Sequence, residues 1–295
     1  MNILNVDHSF HIGEQHRKIG KPCQDYALSG LLDEQTAYAI VSDGCSSGGM
    51  TDIGARLVAL ATRRALTELH IKNGFPAKDE HVSAINKLRD SYLEDYRRVL
   101  DLTHKDLLAT CLWAVANKDM AFAHATGDGM IALQYEDELF LESFEWAKNM
   151  PFYPAYKIGN MVDSFKNVLA DEPEPFTDIL ESTSPTGMGG IPDGFLSTHD
   201  VATGMRGVGT WWAIHNTDCS GNLQTIALFS DGVKQVREMS YQTVAAGLLA
   251  FKSTTGAFAV RRMNRFLKDI EKIGGSPIDD IAFAVIHIAD KNKPT

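Results

Sequence analysis

Cysteine is scarce in this chain, and the few cysteines lie far apart. Four occur among 295 residues, with no Cys-x-x-Cys pair: Cys23, Cys45, Cys111 and Cys219. This spacing excludes a dense disulfide framework and a cysteine-based structural zinc site, and it is typical of proteins in a reducing compartment. We therefore expect a cytoplasmic location.

Long apolar runs and concentrated positive charge are also absent. No window is long and apolar enough to cross a membrane, and residues 1–16 lack the basic-then-apolar pattern of a signal peptide. The formal net charge is −10, and basic residues adjoin mainly in three Arg-Arg pairs, at 63–64, 97–98 and 261–262. Binding to a phosphate backbone needs more clustered cations. We expect a soluble monomer that binds neither nucleic acid nor membrane.

The first half of the chain alternates between helix-like and strand-like patterns. Residues 36–42 (TAYAIVS) form a short apolar run that is typical of a buried strand. Thr51 is a candidate cap for a helix that ends near His70, and residues 78–102 have the apolar spacing of a second helix. Four further strands are predicted at 109–116, 121–126, 130–135 and 138–141. Their short turns indicate antiparallel hairpins.

The second half begins with a different composition. Residues 144–206 contain six prolines, several aromatic residues and little periodicity, which indicates an ordered but irregular insertion. Regular patterns then return as two strands, two helices and a last strand, at 210–216, 223–230, 241–252, 256–272 and 281–288. The whole pattern predicts one α+β domain over residues 1–295, with an antiparallel core and helices packed outside it.

Acidic residues stand at the ends of several predicted strands. Asp43-Gly44, Asp128-Gly129 and Asp231-Gly232 each follow an apolar strand, and Asp279-Asp280 directly precedes the last one. Asp-Gly is also common in hairpin turns, and a turn explains Asp128 adequately because a strand follows at once. It explains Asp43 and Asp231 poorly, because these residues lead into loops and helices.

The alternative to unrelated turns is a shared metal site. If the strand ends converge, their carboxylates would form a set of hard oxygen ligands, which suits Mg²⁺ or Mn²⁺ better than zinc. A glycine beside a ligand lets the main chain approach, so that its carbonyl can also coordinate. Two such cations can activate water and neutralise phosphoryl oxygens. The residues alone leave both interpretations open.

The order of motifs along the chain resembles that of the 2C-type metal-dependent serine/threonine protein phosphatases, the PPM family. The motifs are Gln24-Asp25, VSDG (41–44), the ATC strand (109–111), TGDG (126–129), FSDG (229–232) and DDIAFAVI (279–286). The Cys-Gln-Asp start and the DGCSSG loop are most similar to bacterial members. The resemblance implies an αββα sandwich, in which two packed antiparallel β-sheets are flanked by α-helices. It also implies that residues 144–206 form a variable flap beside the active site.

The resemblance implies a role for each matching residue. Asp43 corresponds to the ligand that bridges two Mg²⁺ or Mn²⁺ ions, and Gly44 to a carbonyl ligand. Asp231 and Asp279 correspond to ligands of the second ion. Asp25 would act near the metals through water, and Asp128 would help to hold a third, weaker ion. The implied reaction is hydrolysis of phosphoserine or phosphothreonine in a phosphorylated protein by a metal-bound hydroxide, with catalysis carried by Asp43, Asp231 and Asp279 through metal and water.

Three positions depart from the family pattern. Gln24 stands where many members have an acidic residue, Gly20 where an arginine commonly binds the substrate phosphate, and Cys45 where some members have a histidine proposed as general acid. The nearby residues that could replace the arginine are His16, Arg17, Lys18 and Lys21. The alternative for each of them is an ordinary surface group, and we also interpret His8 and His11 as surface residues.

Two other functions compete with a phosphatase. Gly44-Cys45-Ser46-Ser47-Gly48 matches the G-x-S-x-G pattern of a serine esterase, with Ser46 as nucleophile. Against it, Ser46 follows only one or two strands, and the next helix begins several residues too late. The second rival is a pseudophosphatase that keeps the fold and binds a phosphorylated partner without turnover. Intact aspartates at 43, 231 and 279 argue against that inactive form.

Overall fold

Two antiparallel β-sheets pack face to face at the centre of the computed structural model. It describes residues 3–74, 79–135, 138–182, 199–200, 205–206, 210–215 and 223–289. The larger sheet has six strands in the order β1 (Ile3–His11), β13 (Ile281–Ala289), β12 (Thr225–Phe229), β6 (Gly129–Gln134), β7 (Leu139–Trp146) and β8 (Phe176–Ser182). The smaller has five in the order β11 (Thr210–His215), β5 (Met120–Thr126), β4 (Cys111–Ala116), β3 (Ala37–Asp43) and β2 (Asp25–Leu31). A short ribbon pairs β9 (His199–Asp200) with β10 (Met205–Arg206).

Helices cover the outer face of each sheet. The long helices α2 (Thr51–Asn73) and α3 (Asp79–Val99) pack on the smaller sheet, and α6 (Tyr241–Leu249) and α7 (Phe258–Glu271) pack on the larger one. Three short helices complete the set: α1 (Glu14–Ile19), α4 (Pro154–Ile158) and α5 (Val162–Val168). This arrangement confirms the predicted αββα sandwich. None of the helices in the described residues is both long and apolar enough to cross a membrane.

Strand β3 shows why the central strands are apolar along their whole length. Ala39 and Val41 face the other sheet in the core between the sheets, while Tyr38 and Ile40 face α2 and α3. Both faces of the strand are therefore buried, which removes the polar alternation expected of a half-exposed strand. The same burial on two faces explains the apolar run in β13.

The N-terminal part of the chain is more regular than its sequence pattern indicated. Residues 3–31 form β1, α1 and β2, none of which was predicted. Strand β1 lies at the edge of the larger sheet and pairs with β13, and most of its residues are half-buried. Asp7 in this strand accepts a hydrogen bond from the amide of Ala259 at the start of α7 (2.6 Å). A half-buried edge strand with such polar residues lacks a clear apolar period.

The insertion also contains regular structure in the part that is described. Strand β8 extends the larger sheet beyond β7, and α4 and α5 lie between these two strands. The prediction of an irregular segment is therefore wrong for residues 144–182. Most of the rest of the insertion, residues 183–198 and 201–204, lies outside the described residues, as does Cys219.

The connection at Asp128 is not a hairpin. Strand β5 belongs to the smaller sheet and β6 to the larger one, so Gly127-Asp128-Gly129 carries the chain from one sheet to the other. Both glycines have positive φ, 102° at Gly127 and 133° at Gly129, in the region that favours glycine. The hairpin explanation of this Asp-Gly pair is thus wrong.

Candidate metal centre

The predicted aspartates meet where the two sheets end. Asp25 begins β2 and Asp43 ends β3, and the two residues are directly opposed in the antiparallel ladder. Asp231 follows β12, and Asp279 precedes β13, the strand that pairs with β12. The Asp43 carboxyl lies within hydrogen-bonding reach of the Asp231 carboxyl, and Asp25 lies within reach of Asp43. The fold therefore brings together carboxylates that are far apart in sequence.

Thr110 fixes the main chain of Asp43. Its hydroxyl accepts a hydrogen bond from the Asp43 amide (3.0 Å), and its own amide donates to the Asp43 carbonyl (2.8 Å). The hydroxyl of Ser42 donates to the Thr110 carbonyl (2.6 Å). These contacts give the ATC strand segment a role that the sequence pattern did not reveal. Thr110 holds the end of β3 so that the Asp43 side chain faces the other carboxylates.

Gln235 joins the two aspartates on the other side of the cluster. Its side-chain amide approaches Asp231 Oδ2 at 3.5 Å and Asp279 Oδ2 at 3.3 Å. The second oxygen of Asp279 accepts a hydrogen bond from the amide of Asp280 (2.8 Å). Gln235 and the Asp280 amide thereby orient both side chains through neutral donors. No local sequence signal identified Gln235, because its contacts depend on how β12 and β13 are paired.

The glycines after Asp43 and Asp231 are required by close packing. A Cβ atom on Gly232 would lie 1.7 Å from the carbonyl oxygen of Asp280, and one on Gly44 would lie 2.6 Å from the carbonyl oxygen of Thr51. Real Cβ atoms do not approach other atoms so closely. Only glycine lets these two loops pass their neighbours. This packing gives the Asp-Gly motifs a physical reason independent of coordination by the Gly44 carbonyl.

Four aspartates of the cluster have raised pKa values in the absence of cations. Burial and then the charges of nearby aspartates hold the pKa of Asp25 and of Asp43 well above the usual range. Burial and the charge of Asp279 raise the pKa of Asp231, and burial and the charge of Asp231 raise that of Asp128 to about 8. Lys234 offsets part of this repulsion at Asp231 and Asp128. One lysine cannot balance several carboxylates, so further positive charge would stabilise the cluster.

The donor atoms fit hard divalent cations. Asp25 is 2% exposed, and its Oδ2 atom is buried without a hydrogen-bond partner. Asp43, Asp128, Asp231 and Asp279 each keep part of their residue surface exposed, so an ion could reach the cluster from solvent. An all-oxygen set with an unpartnered buried oxygen suits Mg²⁺ or Mn²⁺, which prefer carboxylate, carbonyl and water ligands. The residues present therefore fit the expected metals.

Asp280 has a different environment from its neighbour Asp279. It is 3% exposed, and its oxygens accept hydrogen bonds from the amides of Gly13 (2.7 Å) and Gln24 (2.6 Å) and contact His16 Nδ1 (2.9 Å). Ligand atoms of His16, Asp279 and Asp280 also lie within 4.8 Å of one another. Because three contacts already use the Asp280 oxygens, we infer that this residue orients the segment around Asp25 rather than binding an ion directly.

The phosphate candidates occupy different places. His16 is 6% exposed and pairs with Asp280, so its interpretation as a surface group is wrong. Arg17 is exposed. Lys18 is exposed and pairs with Glu14 at 2.5 Å. Lys21 donates a hydrogen bond to the carbonyl of Ser46 (3.2 Å), which puts it beside the loop that follows Asp43. His8 and His11 are half-buried rather than on the surface.

Each departure from the family pattern has a structural counterpart. Gly20 ends α1 in a left-handed conformation with φ of 70°, which disfavours a larger residue there. The Gln24 side chain donates to the hydroxyl of Thr51 at the start of α2 (2.5 Å). Cys45 Sγ lies 3.2 Å from the hydroxyl of Ser47. These three residues thus shape the loops around Asp25 and Asp43.

Ser46 lacks the surroundings of an esterase nucleophile. It is exposed, and α2 begins five residues later at Thr51, so the sharp turn from strand to helix is missing. Within the part of the chain that the structure describes, no histidine forms a hydrogen bond with the Ser46 hydroxyl. The environment gives no support to the esterase hypothesis.

The insertion contacts two of the loops that carry aspartates. Trp146 donates its indole N–H to the carbonyl of Gly127 (3.1 Å), immediately before Asp128. Tyr153 is 6% exposed, and its hydroxyl lies within hydrogen-bonding reach of Cys45; burial and this thiol raise the pKa of Tyr153. Residues 146–153 therefore lie against the loops after β3 and after β5. The sequence pattern did not identify either contact.

Comparisons with known proteins agree with the fold that positions this site. A family model described as protein phosphatase 2C matches residues 12–270. The serine/threonine phosphatase Stp1 from Staphylococcus aureus has a similar structure, with 12% identity, 98% coverage of each chain and a TM-score of 0.51. The serine-threonine phosphatase 2C from Toxoplasma gondii has 15% identity, 98% coverage of each chain and a TM-score of 0.52.

A third structure, of a bacterial serine phosphatase, shares 11% identity over 97% of this chain and 98% of its own, with a TM-score of 0.53. At such identities these likenesses show the fold alone. A search of curated protein sequences found no match.

Proposed function

The chain belongs to the protein phosphatase 2C family and is a phosphoprotein phosphatase, and we propose that it hydrolyses phosphoserine and phosphothreonine with Mg²⁺ or Mn²⁺. The proposed cofactors are two ions held chiefly by Asp43, Asp231 and Asp279, with a third, weaker ion near Asp128. The observation that carries the proposal is the contact of Asp43 with Asp25 and Asp231, which crowds three carboxylates around one point.

The surroundings of each proposed ligand indicate whether it binds one ion or both. Asp43 lies between Asp25 and Asp231, which suits a ligand shared by two ions. Gln235 holds Asp231 and Asp279 near each other, so we assign both to one ion. Gly44 is the proposed carbonyl ligand. When bound, the cations would lower the pKa of water and offset the charge on phosphoryl oxygens.

The protein's own groups have positioning roles in this proposal. Asp25 is buried with one unpartnered oxygen, so it can accept a hydrogen bond from water that enters the cluster. Thr110 and Gln235 keep the carboxylates in place before substrate binds, which reduces the reorganisation needed during reaction. We propose direct attack of water on phosphorus, without a covalent enzyme intermediate.

Substrate phosphate has to be bound without the usual arginine. Arg17 and Lys21 are exposed cations that precede β2 in the sequence, and Lys21 contacts the loop after Asp43. We propose these two residues as phosphate contacts. His16 was a third candidate, but its ring faces Asp280, so we assign it a supporting role there.

Phosphate release with and without metal tests the proposed function. We expect the protein to hydrolyse p-nitrophenyl phosphate and a phosphothreonine peptide with Mn²⁺ or Mg²⁺, to lose activity in EDTA, and to regain it when metal is restored. Asp231→Asn should be almost inactive. The matched control is Asp119→Asn, which removes an exposed carboxylate far from Asp231 in the sequence. This variant should behave like the parent.

Other outcomes identify the rival functions. Full activity in EDTA together with inactivation by a fluorophosphonate would favour Ser46 as an esterase nucleophile. Binding of the phosphopeptide without turnover under any metal condition would favour a pseudophosphatase.

A further inference from the structure

The outer face of α7 carries a line of positive charge. Arg261, Arg265, Lys268 and Lys272 are all exposed, and their spacing places them on one side of the helix. The opposite side carries the apolar residues that pack on the larger sheet, among them Phe258 and Phe266. Lys252, in the segment before α7, is also exposed. The helix therefore presents a basic face to solvent while its other face is part of the core.

This basic face contrasts with the rest of the protein. Residues 252–272 contain six basic and two acidic residues, a net charge of +4, whereas the whole chain has −10 and the remainder therefore −14. A cationic region on an acidic protein produces a local field that attracts anionic groups. The charge is thus concentrated rather than dispersed.

The cations have few partners within the described residues. Asp269 is shared by Arg265 (3.1 Å) and Lys272 (3.0 Å). Lys252 and Lys268 form no ion pair in that part of the chain. Most of the positive charge on this face is therefore not neutralised by the protein itself.

Main-chain carbonyls, rather than carboxylates, orient two of the arginines. Arg261 donates to the carbonyl of Thr255 (2.7 Å), and Arg262 donates to the carbonyl of Gly247. Burial, together with the charge of Arg265, lowers the pKa of Arg262. These guanidinium groups are held in place yet keep their full charge, so an incoming anion would meet preorganised donors.

A groove runs beside this face. It has a volume of about 550 Å³, and its lining includes the apolar side chains of Phe251 and Phe258 and one carboxylate, Asp269. Five cations outnumber that carboxylate: Lys252, Arg261, Arg262, Arg265 and Lys268. A concave surface with an apolar floor and a cationic rim can bury the stem of a side chain while pairing with its charge. Its size suits a few residues of an extended peptide rather than a flat membrane or a long duplex, which the acidic remainder of the surface would repel.

We propose that this groove binds an acidic segment of the phosphorylated protein substrate, at a distance from the phosphorylated residue. The inference rests on the proposed function. Lys268, which lines the groove, precedes Lys272 by four residues at the end of α7, a rise of about 6 Å. The seven Cα–Cα steps from Lys272 to Asp279 span at most about 25 Å, so Lys268 and Asp279 are at most about 31 Å apart. One substrate chain can span that distance with its acidic segment in the groove and its phosphate at the metal centre. The groove thereby selects phosphoproteins with an acidic segment.

Peptide binding tests the groove without depending on catalysis. A fluorescein-labelled Glu-Asp repeat peptide should bind the full-length parent protein, with an affinity that falls as salt rises. Arg265→Gln/Lys268→Gln should weaken binding on the order of tenfold, and Arg265→Glu/Lys268→Glu should weaken it further. The control, Lys87→Glu/Arg98→Glu, changes the charge on α3 by as much as Arg265→Glu/Lys268→Glu changes it on α7. It should leave the affinity for the peptide within about twofold of the parent. Fluorescence anisotropy measures each affinity, and melting curves establish that each variant is folded.

Kinetics link the groove to substrate choice. Arg265→Gln/Lys268→Gln should have a lower kcat/KM for a phosphothreonine peptide that carries an acidic segment, mainly because its KM is higher. Its hydrolysis of p-nitrophenyl phosphate should be unchanged. If the folded Glu variant binds the repeat peptide like the parent, the groove proposal is overturned. It is overturned equally if phosphatidylserine vesicles or duplex RNA bind the groove more tightly than the peptide. An inactive parent that still binds the peptide through the groove would contradict the proposed catalytic function instead.

Discussion

Asp25 lies directly opposite Asp43 in the antiparallel ladder of β2 and β3, and both carboxyls enter the same cluster. Like charges at directly opposed positions of a sheet are destabilising. The fold nevertheless keeps Asp25 almost fully buried, with one oxygen unpartnered. A local conflict of this kind is expected where function requires it. Here the conflict is relieved once cations occupy the cluster.

The metal-free protein should lose stability as pH rises from about 7 to about 9. The pKa of Asp128 is raised to about 8, against about 3.9 for an unfolded aspartate, so the folded state holds a proton that the unfolded state has lost. The corresponding stabilisation is complete below about pH 4 and disappears as pH passes about 8. The raised pKa values of Asp43 and Asp231 act in the same direction.

Calorimetric melting in EDTA measures this dependence. Burial lowers the pKa of His124, so that histidine makes stability rise with pH, but only up to the pKa of an unfolded histidine, about 6.5. The range from about pH 7 to about pH 9 lies above this effect. Asp128→Asn should flatten the decline, and Mn²⁺ should raise the Tm most at the upper end of the window. A Tm in EDTA that increases from about pH 7 to about pH 9 is the opposite result and would contradict the charge crowding.

Asp279 and Asp280 should have separable roles although they are adjacent. Asp280→Asn disturbs three hydrogen-bonded contacts around a buried charge, so it should lower the free energy of unfolding by about 2–3 kcal/mol. Asp279→Asn should change that free energy by about 0.5 kcal/mol or less, because the residue is half-buried, while it removes an anionic metal ligand. Urea unfolding in EDTA and Mn²⁺ titration distinguish the two effects. The assignment is wrong if Asp279→Asn is the less stable variant and still binds Mn²⁺.

Strand and helix patterns predicted much of the fold. The fully buried strands such as β3 and β13 and the amphipathic α2 and α7 gave clear periods, and the Asp-Gly pairs after apolar runs indicated the candidate ligands. Strand β1 could not be predicted in this way, because it is half-buried at a sheet edge. Strand β8 was missed because the proline-rich segment around it lacks a regular period.

Long-range contacts were the other unpredictable part. Gln235 acquires its role only because β12 pairs with β13, and Thr110 only because β4 lies beside β3. A hairpin turn was an adequate explanation of the Asp128-Gly129 pair from the residues alone, since the local pattern cannot show that the next strand enters the other sheet. The positions of Asp25 and Asp43 illustrate the same limit: their motifs were recognisable, but their opposed register was not.

Trp146→Phe should weaken the loop that carries Asp128. The change removes the hydrogen bond to the Gly127 carbonyl, at a cost of about 1 kcal/mol, while the aromatic packing on Phe165 and Phe176 is largely kept. We expect weaker binding of the third ion and slower turnover, because Asp128 is the proposed ligand of that ion, while the two tightly bound ions are unaffected. Phe176→Leu is the control in the same cluster. If Mn²⁺ titration instead shows weaker binding of the two tightly bound ions, this role for Trp146 is contradicted.

Calorimetric titration of Mn²⁺ into the parent and Asp43→Asn proteins tests the central claim most directly. The parent should bind two ions tightly, and Asp43→Asn should weaken both by at least about 100-fold, because a shared ligand matters more than an outer-shell partner. In EDTA the variant should melt at the same temperature as the parent or slightly higher, since repulsion among the carboxylates is reduced. If Asp43→Asn binds Mn²⁺ like the parent, or is markedly less stable without metal, then Asp43 is a structural residue and the proposed metal centre is wrong.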